Sequence, residues 1–428
     1  MRFRSIPRHQ IETAVADYAR MAAALVGLVD RGAAVTRFES IFRDYVGCRH
    51  AISVSSGRIG LDLVLRRLAM ERGSEAIVPA FNYFMVVERF LAAGLRPVFA
   101  DIRRADLNID PACVESLVTP RTRVLLATHM YGHPCDMDAL GRIAARHNLL
   151  LIEDCAHAFG SLHRGRHVGA IGKAGVFSLS VLKLVTAFGG GVITTDDDEL
   201  AGGIREDIRR RSTPGTVGSR LRSFLKGMSL DMGTRTLPFS LVVWPLLRIA
   251  RWLRPDVQQR LMTEVPRRAA ALPQACDAPF EAFQAVLGRS QVRRAGKLIE
   301  RRRRVLEQLD AELRNIDGVT RLQRSPHVRH NGMYYGILVD QPQQLSDYLF
   351  SAGIDSETAE YQDCAGLSMY REFGGDCPVA RDVRRRILRL PSHPGLQPAD
   401  VRCIAGAIRA FHEQAAATVS FAAAEAGP

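Results

Sequence analysis

Leu149-Leu-Leu-Ile-Glu-Asp-Cys-Ala-His-Ala-Phe-Gly160 decides how this chain is read. Residues 149–153 form a near-continuous apolar run, as in a parallel strand covered on both faces. The run ends on a carboxylate, Asp154, with His157 three residues further on. A carboxylate there needs a cationic partner to offset its desolvation. On this text alone, a helix N-cap is an equal alternative.

Working outward, residues 51–55, 76–79, 97–100 and 124–128 are similar short apolar runs. Amphipathic segments at 58–69, 85–93 and 137–147 lie between them. Such alternation predicts an α/β fold with a mainly parallel sheet and right-handed crossovers. Ligands then gather at the carboxyl ends of the strands. The pattern breaks after Asp198. Residues 201–270 are arginine-rich without strand alternation, 282–313 read as one or two long helices, and the remainder mixes strands and helices. A large domain over 1–285 and a smaller C-terminal α+β domain over 286–428 are expected.

Three further stretches carry chemistry. Ser53-Val-Ser-Ser-Gly-Arg-Ile-Gly60 follows a strand and opens a helix, so its amides could cradle an anion; a simple tight turn is the plainer reading. Gly175-Val-Phe-Ser-Leu-Ser-Val-Leu-Lys-Leu-Val-Thr-Ala-Phe-Gly-Gly-Gly191 sets Lys183 among apolar residues. Only four of the 58 basic residues are lysines (Lys173, Lys183, Lys226, Lys297), so Lys183 stands out. Desolvation favours the neutral amine that a Schiff base requires, while a snorkelling surface lysine is the alternative. Pro79-Ala-Phe-Asn-Tyr-Phe84 offers an aromatic that could stack on a planar cofactor or pack in the core. An anion cradle, a carboxylate, a ring support and a lysine are together the parts that pyridoxal phosphate needs.

With these residues in view, the chain resembles the DegT/StrS-type sugar aminotransferases, of the aspartate-aminotransferase fold class (fold type I) of pyridoxal-phosphate enzymes. The likeness runs from Phe38-Glu39 to Leu390-Pro-Ser-His-Pro-Gly395, through Gly94-Leu-Arg-Pro-Val-Phe-Ala-Asp101 and His129-Met-Tyr-Gly-His-Pro-Cys-Asp-Met-Asp138. The resemblance implies that Lys183 forms the internal aldimine and moves the proton between carbons. Asp154 would pair with the pyridine nitrogen and His157 would lie against the ring. Ser178, Ser56 and Gly57 would bind the phosphate and Tyr83 would stack on the ring. It implies pyridoxal 5′-phosphate, no metal, a homodimer, glutamate as donor and a nucleotide- or lipid-linked keto-sugar as acceptor, in polysaccharide, lipopolysaccharide or glycolipid biosynthesis.

The likeness fails in places. Arg58 stands where the family has threonine; it could bind phosphate bidentately. An asparagine that reaches the partner's phosphate falls on Asp277 here, where its charge would repel. Residues 205–268 form an insertion holding both tryptophans and 14 Lys/Arg against five Asp/Glu, most of the net charge of +13. Its stretch 235–255 mixes large apolar residues, tryptophan and arginine, as in a segment lying on an anionic membrane surface; docking on the protein itself or a partner subunit is the equal alternative. Base-stacking and groove-reading motifs are lacking, so nucleic acid is not an expected partner.

Two rival functions follow: a pyridoxal-phosphate sugar dehydratase, disfavoured because its relatives carry histidine in place of Lys183, and a catalytically silent membrane-associated scaffold of the same fold. Eight scattered cysteines and no leader-like apolar segment make a cytoplasmic enzyme the expectation, with peripheral attachment at the inner face of the membrane as its variant. The apolar run 237–253 is too short and too charged to cross a bilayer.

Overall fold

The structure is a computed structural model that describes residues 4–211, 215–253, 266, 279–358 and 361–425, with side chains to 414. Its centre is a seven-stranded sheet. In spatial order the strands are His50–Val54, Gly191–Thr195, Ala174–Ser178, Leu150–Asp154, Thr122–Thr128, Glu75–Pro79 and Arg96–Ala100. All run parallel except Gly191–Thr195, which is antiparallel to both neighbours. The five strands expected from apolar runs are present within a residue or two. Residues 51–55 nevertheless lie at the sheet edge, beside the reversed strand, rather than in an all-parallel run.

Crossover helices seal both faces. Phe38, Phe42, Val64 and Phe90 are fully buried against one face, and Val114, Leu140 and Ile143 pack on the other. Burial on both faces explains why these strands read as unbroken apolar text.

The long helix is single, Ala282–Glu312, and opens with a capping box in which the Gln284 side chain accepts the Glu281 N–H at 2.9 Å. The expected division at 285/286 falls at its start. Its side chains leave the first core after Ile299 and enter a second at Val305. That second core joins Leu306 and Leu309 to a three-stranded antiparallel sheet, Thr320–Arg321, Tyr335–Leu338 and Ile387–Leu390, and to helices Pro342–Ser351 and Pro398–Glu425.

The described part of the insertion is helical and docked at a few points, with most of its residues exposed. In helix Val217–Thr234, Asp231 is fully buried and bonded to Tyr18 and Arg235. Helix Trp244–Leu253 is held by Arg251, which reaches Asp347 at 2.5 Å and covers the Phe350 ring. Trp244 is therefore not an interfacial residue: it is buried with its ring centroid 4.4 Å from that of Phe350. Trp252 is 83% exposed. Asp277 and residues 254–265 lie outside the described residues. No described helix is long and apolar enough to cross a membrane.

Candidate active site

Strand Leu150–Asp154 delivers Asp154 at its carboxyl end, opposite Thr128 and Val176 of the flanking strands. The carboxylate accepts the Ala156 N–H at 3.0 Å. Burial pushes its pKa up, against the opposing pull of that N–H and of the Lys183 charge. The residue nevertheless opens onto a cavity of about 440 Å³ at this end of the sheet.

Ser56 caps helix Gly57–Arg67, its hydroxyl accepting the Ile59 N–H at 3.2 Å. The first amides of that helix remain available to an anion. Its turn lies across the last two residues of the glycine triplet. A Cβ on Gly191 would stand 2.5 Å from the Gly57 nitrogen, and Gly190 has φ +97° with the Phe280 ring 2.4 Å from such a Cβ. Only glycine permits that approach.

All eight residues expected at the site, Ser56, Gly57, Arg58, Tyr83, Asp154, His157, Ser178 and Lys183, line this one cavity. Lys183 sits in a turn with its N–H bonded to Ser180 at 3.0 Å. His157 is buried, and its pKa is driven well below the usual histidine value by desolvation, then by the charges of Lys183 and Arg389. The imidazole is accordingly neutral at pH 7.

Other residues at the cavity carry no sequence signal of their own. Tyr361 reaches it from the C-terminal part of the chain. Nearby, Tyr334 packs edge-on against His157, while His330 stacks on His133 and Tyr335 bonds Asp310 at 2.7 Å. Arg89, Asn82, Thr128 and His129 also line the wall. His129 Nδ1 accepts the Cys135 N–H at 3.0 Å, so its Nε2 carries the hydrogen and donates to Glu153 at 3.1 Å. Glu153 accepts three more N–H groups, from Gly169, Ile171 and Gly172. Burial alone would raise its pKa, but these bonds win and hold it low. It is a buried anchor that orients His129 and the 169–172 loop.

The sequence matches the DegT/DnrJ/EryC1/StrS aminotransferase family over residues 12–233 and 265–409, leaving out 234–264 within the insertion. It is 40% identical over 174 residues to a GDP-perosamine synthase of Caulobacter vibrioides, an alignment covering 41% of this chain and 47% of that relative. Similarity to the spore coat polysaccharide biosynthesis protein SpsC of Bacillus subtilis is 29% over 397 residues, 90% of each chain. The fold superposes on a putative sugar aminotransferase of Streptococcus pneumoniae in its PLP form with TM-score 0.76, at 21% identity, covering 96% of this chain and 99% of that one.

Proposed function

This chain belongs to the DegT/DnrJ/EryC1/StrS aminotransferase family, and from that premise we propose that it is a pyridoxal-phosphate-dependent sugar aminotransferase. Its donor would be glutamate and its acceptor a keto-sugar carried on a nucleotide or a lipid, for polysaccharide, lipopolysaccharide or glycolipid assembly. The observation that carries the reading is the meeting of Lys183 and Asp154 in one cavity beside the open N-terminus of helix Gly57–Arg67.

These residues fit the cofactor. Asp154 is a half-buried carboxylate facing the cavity, whose raised pKa asks for a positive partner, and a pyridinium N–H is one. Ser56, Gly57 and Ser178 would hold the phosphate. Pyridoxal phosphate, when bound, supplies an electron sink for the negative charge left at a carbon that loses its proton. Asp154 would keep the ring nitrogen protonated. Lys183 Nζ would supply the attaching amine and then, in each half-reaction, take a proton from or return it to the substrate carbon that bears the amino group. Neutral His157 would close one wall of the cavity without adding a competing charge.

The test is direct. Protein mixed with pyridoxal phosphate is expected to gain visible absorbance that Lys183→Ala abolishes, and L-glutamate should bleach it with release of 2-oxoglutarate. A colourless mixture that releases no keto acid would sink the reading in favour of a silent scaffold.

A second reading concerns where the enzyme works. Leu237, Leu241, Leu246, Ile249 and Trp252 are exposed on the insertion. Among the described residues, no carboxylate pairs with Arg248 of helix Trp244–Leu253, or with Arg222 or Lys226 of helix Val217–Thr234. This composition supports contact with an anionic membrane surface through residues 235–255, by an enzyme that the family makes a homodimer. Sedimentation with phosphatidylserine vesicles, comparing the full chain with Trp252→Ser/Leu246→Ser, tests it; equal partitioning rejects it.

A further inference from the structure

We propose that Arg58 and Arg89 form a paired guanidinium clamp for a phosphate dianion, and that the dianion is the phosphate of the cofactor; this rests on the reading above. Arg89 lies on helix Phe84–Ala92 and is only 3% exposed, and that remnant faces the cavity it lines. It has no carboxylate partner among the described residues, and its Nε has no hydrogen-bond partner.

The acids nearby have other partners, although Asp62 Oδ1 is itself left without one. Asp62 is paired with Arg66 at 2.9 Å, and Glu88 accepts the Tyr370 hydroxyl at 2.9 Å. Desolvation is the largest force against the Arg89 cation; Asp62 and Glu88 attract it without a hydrogen bond, while Arg58 and Arg66 repel it. A buried guanidinium with no hydrogen-bonded counter-ion is costly, and a ligand anion would supply one.

Arg58 extends from the first turn of helix Gly57–Arg67 and lines the same cavity, where Asp154 is the only carboxylate among the lining residues. Two guanidiniums beside a helix N-terminus suit a doubly charged, tetrahedral oxyanion. Each presents paired N–H donors matched to phosphate oxygens, and the helix adds amides. The arginine that displaces the expected threonine at 58 is thereby one half of a two-part site. Its other half sits on a different helix, 31 residues further along the sequence.

The experiment compares pyridoxal phosphate with pyridoxal, which lacks the phosphate. Both are titrated by visible absorbance into the apo forms of wild type, Arg89→Met, Arg89→Lys and Arg58→Met. Arg89→Met is expected to weaken pyridoxal phosphate by about tenfold or more, and pyridoxal by less than about twofold. Arg89→Lys should fall between, since it keeps the charge but loses the fork. Inorganic phosphate should compete with pyridoxal phosphate in wild type and less in either Met variant.

Equal weakening of the two ligands, or none, overturns the clamp. So does a variant that weakens GDP or UDP while leaving pyridoxal phosphate unchanged, which would move the dianion to the substrate. Arg58 is exposed, so Arg58→Met keeps the test valid if Arg89→Met does not fold. In that case no phosphate competition in wild type, together with no effect of Arg58→Met, overturns the proposal. Wild type that develops no absorbance with either ligand rejects the aminotransferase reading itself, a result distinct from unaltered binding by the variants.

Discussion

His157 Nε2 lies 2.6 Å from the Tyr361 hydroxyl, with the two rings edge to face at 5.2 Å. Both residues are buried, and they stand 204 positions apart in the chain. The bond ties the C-terminal part of the protein to the cavity wall. Tyr361→Phe leaves the imidazole nitrogen without this partner, which for a buried polar atom costs about 1–3 kcal/mol. Chemical denaturation should register that loss. Turnover should fall more than glutamate KM rises, because a misplaced His157 affects the reacting geometry more than donor capture. Unchanged stability and unchanged turnover would remove Tyr361 from the site.

Asp154→Asn separates chemistry from stability. Burial raises the carboxyl pKa in the folded apo protein, so its charged form is penalised at neutral pH. An amide of the same shape has no charge to desolvate. The apo variant should therefore melt at the wild-type temperature or above it. Turnover should drop by about two to three orders of magnitude, because an amide cannot hold the proton on a ring nitrogen. A variant that melts several degrees lower with turnover intact would mean that Asp154 is a structural cap.

Much of this was legible before any coordinates, and the illegible parts share one cause. Strand Leu150–Asp154 announces itself because burial on both faces demands unbroken apolar text. Asp154 and Lys183 stand out as a charge ending such a strand and a rare lysine in an apolar stretch. Arg89 follows Glu88 on a helix and reads as an ordinary solvated pair; only the packing above helix Gly57–Arg67 buries it. The two tryptophans look alike in sequence, yet Trp244 has Phe350 as a partner and Trp252 is open to solvent. The reversal of strand Gly191–Thr195 is likewise silent, because strand direction is set by the preceding loop rather than by composition.

His133 and His330 stack at 5.1 Å and 9°. Burial is the main reason that their pKa values fall to about 3 and about 2, with the Arg324 charge adding to it. In the unfolded chain each binds a proton near pH 6.5. Between that value and the folded pKa, the unfolded state holds more protons, so folding stability decreases as pH falls below about 6.5. Each histidine contributes up to about 1.4 kcal/mol per pH unit. Urea midpoints at pH 7.5, 6.5 and 5.5 should show this decline, and His133→Gln/His330→Gln should flatten it. An identical slope in the double variant would rule the pair out as its source.

Gly227 couples the insertion to the lysine loop. It lies in helix Val217–Thr234, and a Cβ there would stand 2.2 Å from the Phe188 ring. Phe188 has φ +58° and is packed with Phe283, Leu287 and Met21 at the end of the loop that begins at Lys183. Gly227→Ala must therefore displace the ring, and overpacking of this kind costs about 1–3 kcal/mol. Gly233→Ala, in the same helix, meets only an ordinary 3.6 Å contact with Val243 and gains helix propensity of about 0.5–1 kcal/mol. The two should move stability in opposite directions. Gly227→Ala should also weaken pyridoxal phosphate and pyridoxal by the same factor, since it shifts Lys183 rather than the phosphate contacts. If Gly227→Ala is as stable as Gly233→Ala and binds both ligands like wild type, the insertion is docked beside the site without supporting it.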